Sequence, residues 1–372
     1  MAASIAWHPG VYSLMPWAIP VTLLPDESIS SWLARAALMQ GCDPSALTGT
    51  ICPGWQAWSL DTDRGIPHKC LRALSEASGI PKSRMEAAAL RKDAEKIFGE
   101  PPPDSQAWPW ILALGSRNRS RRGGLQFCPI CLARDTRPYF RRQWRFAWHT
   151  GCPQHGISLQ DRCGACGAPI EPHRLQAEDR HLALCARCKC DLREADRKPI
   201  SETALAFQRL ADDALNNSTG SFGETSIPTT DWFSTAAFLI AVVRKASRSE
   251  ASKLAGMVRS LGIQADGGLL QASGLPFELL TVRERQILLD AAFRLIIVGP
   301  EELRKAFWTS GITKAALRNI RGALPSSVNA IILSLPDGSR GPRKASTPRS
   351  AGPRSKRAVM AAWRRLQRKM WA

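Results

Sequence analysis

Eight candidate metal ligands, arranged as four short pairs, constrain the fold of this chain more than any other feature. CPIC occupies 128–131, CPQH 152–155, CGAC 163–166 and CARC 185–188, with gaps of twenty, seven and eighteen residues between them. Two ligands three positions apart sit on one tight knuckle, whose backbone amides are free to hydrogen-bond thiolates. Two knuckles brought together make the tetrahedral N/S cage that Zn²⁺ prefers. The order of the pairs predicts two consecutive sites: Cys128, Cys131, Cys152 and His155, then Cys163, Cys166, Cys185 and Cys188. Four such pairs in order seldom arise among cysteines that are merely buried. Two positions stay open, since Cys190 could displace Cys188 and His149 could compete with His155. His173 and His181 read as loop residues.

A catalytic zinc keeps an open position for water, whereas four protein ligands, mostly thiolates, fill the sphere and quench Lewis acidity. The expectation is therefore Zn²⁺, two per chain, both structural. The stretch CPQHGISLQDRCGACG supplies half of each site, which would make the two ribbons one rigid unit.

Across 372 residues, Lys and Arg number 51 against 32 acids, a formal charge of +19. The excess is localised: net −2 over 1–110, +9 over 111–200, +2 over 201–336 and +10 over 337–372. Such a footprint attracts nucleic acid or an anionic surface. No stretch approaches the roughly 20 apolar residues of a membrane-spanning helix. The opening MAASIAWHPGVYSLMPWAIP lacks the basic start of a signal peptide, and eleven cysteines, an odd number, argue against a disulfide framework. The chain reads as cytoplasmic, with reduced thiols and no membrane partner.

The predicted class is mainly α, with a small zinc-ribbon insert carrying a short β-hairpin, and with helix-turn-helix elements. Four zones are expected: a helical domain over 1–106, the tandem zinc-ribbon region over 107–200, a second helical domain over 201–335, and a basic disordered linker with a terminal amphipathic helix over 336–372. In the first zone Asp26 is the expected N-cap of a helix presenting Ile29, Trp32, Leu33 and Ala36, with Gly41 as its stop. PKSRMEAAALRKDAEKIFG carries a further helical pattern, and the polar stretch 216–231 reads as a linker. The candidate helix-turn-helix is PEELRKAFWTSGITKAALRNIRG. Gly311 sits in its turn and Phe307, Ile312, Leu317 and Ile320 pack inward, while Lys314, Arg318 and Asn319 face a groove or a partner. In the last helix Val359, Trp363, Leu366 and Met370 form one stripe among arginines, the pattern of a tethered hook for DNA or a partner protein.

PDESISSWLARAA, the ribbon CPICLARDTRPYFRRQWRFAWHTGCPQHGISLQDRCGACGAPI and the later CARC together resemble the TniQ family over most of 20–200, and more loosely to about 335. The resemblance implies helix-turn-helix elements with zinc-finger motifs in a non-enzymatic component of DNA transposition. Such a component helps choose or mark the target site and connects it to an AAA+ ATPase, which recruits a separate transposase. In relatives from CRISPR-associated transposons, the machinery is coupled to an RNA-guided effector complex. The eight ligands carry over position by position, and no catalytic residue does.

Read directly, the residues also disfavour catalysis. The phosphate-binding pattern G-x-x-x-x-G-K-[ST] is absent, and the chain has only two tyrosines, Tyr12 and Tyr139. DNA contact is expected from Arg117, Arg119, Arg121 and Arg122 in GSRNRSRRGG, where guanidinium groups can grip phosphates or enter a narrow minor groove. In YFRRQWRFAW, Phe140, Trp144, Phe146 and Trp148 are expected to pack the ribbon core, leaving Arg141, Arg142 and Arg145 for phosphate. The competing readings are a sequence-specific zinc-ribbon transcription regulator and a zinc-dependent nuclease or hydrolase.

Overall fold

The capping chemistry of the first helix sets the geometry of everything behind it. Ser28, not Asp26, is the N-cap of α1 (Ile29–Met39), its hydroxyl accepting from the Ser31 amide. Asp26 takes a left-handed conformation and points its backbone carbonyl at the Arg142 amide, 2.6 Å away. The expected cap is thus displaced by two residues, because Asp26 is recruited to a tertiary contact. The computed structural model describes residues 16–100, 103, 106–114, 124–263, 275–317, 320, 324–338, 360 and 363.

Around α1 pack α2 (Pro44–Ile51), α3 (His68–Ser78) and α4 (Lys82–Ala88), sharing a core of Val21, Trp32, Leu33, Leu71, Leu74 and Met85. The stretch PKSRMEAAALRKDAEKIFG forms two helices, α4 and α5 (Arg91–Phe98), because Ala89 is extended between them. Cys52 and Cys70 are joined by a disulfide that ties the end of α2 to α3, contrary to the expectation of reduced thiols throughout. Their Cα atoms lie 5.4 Å apart, within the reach of a bridge. The packing of α2 on α3, invisible in Cys spacing, makes the pair.

The ribbon region contains α6 (Pro129–Arg134) and a minimal antiparallel pair, β1 (Gly151–Cys152) and β2 (Ile157–Ser158), around a second core of Leu125, Phe127, Leu132, Phe140, Trp144 and Leu159. The third and largest core belongs to α7 (Glu202–Asn217), α8 (Thr229–Ala246), α9 (Lys253–Ser260), α10 (Val282–Thr309), α11 (Lys314–Leu317) and α12 (Ser326–Ser334). Helix α7 was not singled out from sequence, although Ser201 caps it by accepting from Ala204 and apolar positions recur along it.

The polar stretch read as a linker is instead a hairpin, β3 (Thr219–Phe222) with β4 (Thr225–Pro228). Phe222 and Ile227 are buried in the large core, so alternation outweighs polarity here. Gly223 in its turn has φ +58°, and a Cβ there would sit 2.7 Å from the Cα of Gly299. Gly299 is the non-helical break in α10 ahead of Pro300. The Gly223 amide donates to the Ile296 carbonyl at 2.7 Å, occupying an acceptor that the break releases. Among the described residues, no helix is long and apolar enough to cross a membrane.

Candidate metal centres

Three of the four knuckles bend through a left-handed residue placed directly after the second ligand. Gly156 follows His155, Gly167 follows Cys166, and Lys189 follows Cys188, with φ of +63°, +67° and +58°. Backbone bonds close these turns: Gly156 to the Cys152 carbonyl at 2.9 Å, Gly167 to Cys163 at 2.9 Å and Lys189 to Cys185 at 2.8 Å. The remaining knuckle starts a helix. Cys128 is the N-cap of α6, its sulfur accepting from the Cys131 amide at 3.4 Å.

The eight side chains converge as two sets of four, Cys128–Cys131–Cys152–His155 and Cys163–Cys166–Cys185–Cys188, with ligand atoms within 4.8 Å of one another. In the first set His155 Nδ1 lies 3.4 Å from the sulfurs of Cys128 and Cys131 and 3.2 Å from that of Cys152, and the Cys131 and Cys152 sulfurs are 3.6 Å apart. In the second, Cys163 to Cys188 is 3.6 Å and Cys166 to Cys185 is 3.7 Å. A tetrahedron with metal–sulfur bonds near 2.3 Å has edges of about 3.8 Å, while a disulfide closes to about 2 Å. The separations fit cages of metal size, and soft sulfur with one imidazole is a donor set suited to Zn²⁺.

The thiols are already biased. Hydrogen bonds from Cys128 and Cys131 pull the Cys152 thiol far below the ordinary range, and the same network pushes Cys131 up. In the second set the Cys190 amide lowers Cys188 to about 7, while burial raises Cys185 to about 12. Metal binding requires thiolates, so a cation would take over the role of those bridging protons.

The two open alternatives fall outside the cages. His149 Nε2 is 2.8 Å from Asp212 on α7, and the Cys190 sulfur faces the Asp191 carbonyl at 3.8 Å. Cys190 supports the second site through its backbone amide, which bonds the Cys188 sulfur. His173 stacks on Trp58 with ring centroids 5.4 Å apart, and His181 contacts Arg193 at 3.3 Å.

The arginines of YFRRQWRFAW do not form the expected phosphate-facing row. Arg145 is wholly buried, paired with Asp63, held 2.7 Å from Asp61 and donating to the Leu112 carbonyl at 2.6 Å. Burial pushes the Asp63 carboxyl up, and Arg145 opposes that shift. Arg141 makes a bidentate pair with Asp135, both contacts 2.7 Å, and lies over the Tyr139 and Trp144 rings. Arg142 pairs with Asp93 and lies 3.6 Å from Asp26. All three are engaged by acids rather than left for phosphate: Asp61 and Asp63 reach Arg145 and Asp93 reaches Arg142 from far along the chain, while Asp135 holds Arg141 from six residues away. The aromatics divide likewise: Phe140 and Trp144 pack the ribbon, whereas Phe146 and Trp148, stacked at 4.4 Å, enter the large helical core. Arg285 of α10, also fully buried, donates to the Ala147 carbonyl at 2.5 Å and to Gln126 at 2.9 Å. Neither Arg285 nor the acids Asp61, Asp63 and Asp93 carried a readable sequence signal.

Arg117, Arg119, Arg121, Arg122 and Arg318 lie outside the described residues, as does most of the terminal helix. Lys314 is 3.2 Å from Asp337. Phe307, Ile312, Leu317 and Ile320 are buried as expected around Gly311, but the helix beyond that turn is described only for Lys314–Leu317.

The family model described as TniQ matches residues 18–159, so that span of the chain is similar to the TniQ family. The match takes in the first cage and ends before the second. No curated protein matches the chain.

Proposed function

We propose that this protein is a non-enzymatic adaptor of DNA transposition. It helps select or mark the target site and connects it to an AAA+ ATPase, and through that ATPase to a transposase. In a CRISPR-associated system, an RNA-guided effector would be the targeting partner. The observation that carries the reading is the TniQ match over 18–159. The two cages support it: each converges four protein ligands, so bound Zn²⁺ would be saturated and would hold the ribbons rather than activate water. Zinc bound by Cys128, Cys131, Cys152 and His155, and by Cys163, Cys166, Cys185 and Cys188, would supply folding energy to the ribbon region. The charge of +9 over 111–200 supports a polynucleotide nearby.

The test is recruitment. A purified ATPase of the same system should load on target DNA only when this protein is present, and equal loading without it would remove the adaptor role. If the protein neutralises about five phosphates of duplex DNA, log affinity should fall against log salt with a slope near −4.5.

A further inference from the structure

A cleft of about 390 Å³ opens where the end of α1 meets both ribbons. Its floor is apolar, formed by Leu38 and Met39 of α1, Pro138 after α6 and Leu182 ahead of the last knuckle. Its lining is otherwise cationic: the buried Arg35 with Arg137, Arg180 and Arg193, against a single carboxylate, Asp135. That carboxylate is engaged by Arg141. Arg35 is neutralised by Glu27 at 2.6 Å and Arg193 by Asp191 at 2.5 Å. Arg137 approaches the Met39 sulfur at 2.9 Å, and both Arg137 and Arg180 are exposed. Neither has a carboxylate partner among the described residues.

Two uncompensated guanidinium groups above an apolar floor call for a ligand with both characters. A nucleic-acid backbone would satisfy the rim and leave the floor wet. A cleft this size lies toward the lower end of the roughly 300–1,000 Å³ span of ligand pockets and admits the side chains of one short segment, not a duplex. We infer that the cleft docks an acidic segment of a partner protein, with an apolar side chain on Leu38 and Met39 and flanking carboxylates on Arg137 and Arg180. Paired guanidinium–carboxylate contacts give such a site direction as well as affinity. The inference rests on the adaptor reading for its expectation of a protein partner.

The test is selection of phage-displayed random heptapeptides on the immobilised, zinc-loaded full chain at physiological salt. Asp or Glu beside Leu, Ile, Met or Phe should be enriched. A selected peptide should bind the Arg137→Glu/Arg180→Glu variant about tenfold more weakly or worse. Both positions are exposed, so that variant should keep its two zincs; if it does not, Arg137→Gln/Arg180→Gln takes its place. Absence of enrichment, or binding unchanged in the variant, overturns the inference. Equal displacement of the peptide by a dT oligonucleotide also overturns it and assigns the rim to nucleic acid. Failed peptide selection with intact ATPase recruitment would sink the cleft alone. Successful selection without a recruitment requirement would sink the adaptor reading alone.

Discussion

Replacing Arg145 with methionine should unfold the junction between the N-terminal helices and the ribbons. Methionine roughly preserves the volume, so the loss is electrostatic rather than a cavity. The guanidinium has no exposed surface, and neither does its partner Asp63. Asp63 would keep its hydrogen bonds from the Ser30 amide and hydroxyl, at 2.6 and 2.8 Å, but lose its buried countercharge. Asp61 would retain Arg64 at 3.2 Å. Removing one partner of a buried pair costs about 3–5 kcal/mol, a large share of the roughly 5–15 kcal/mol that holds a domain together. Urea denaturation of the zinc-loaded protein, followed by tryptophan fluorescence, should show the loss as an earlier midpoint. Asp63→Asn in the same chain should recover part of it, because the amide still accepts from Ser30 while the stranded charge is gone. A variant as stable as the parent but weakened on DNA would refute the reasoning and return Arg145 to a phosphate contact.

Gly223→Ala should destabilise by about 1–3 kcal/mol, from left-handed strain combined with collision against the Gly299 backbone. Gly79→Ala, at φ +72° with open space around its Cβ, should cost less in the same thermal melts. Cys188→Ser should lower zinc content by one ion per chain in elemental analysis, while Cys190→Ser should leave two, since the backbone of residue 190 supports the site.

The cages were legible because their information is local: ligand type and a spacing of three within each pair. The inward positions Phe307, Ile312, Leu317 and Ile320 were legible for the same reason, since helical spacing writes their burial into a short window. Arg145 was not. In RRQWR it looks like its neighbours, and Asp61 and Asp63, 84 and 82 positions away, select it for burial. The β3–β4 hairpin was hidden by its polar outer face, and the surface it docks on, the Gly299 break of α10, lies far along the chain. The disulfide depended on the packing of two helices rather than on any cysteine pattern.

Residues 140–148 send successive side chains into three different interiors: Phe140 and Trp144 into one, Arg145 to the acids of a second, Phe146 and Trp148 into a third. This segment, a short 3-10 turn over Arg142–Arg145 with its flanking residues, ties those three interiors together. Force applied to the N-terminal helices would reach the C-terminal bundle through it, so a tug at one end becomes a displacement at the other. By the same logic the ribbons cannot be excised and grafted alone, because the cut would strip two stacked rings of their cover and leave a guanidinium without its acids.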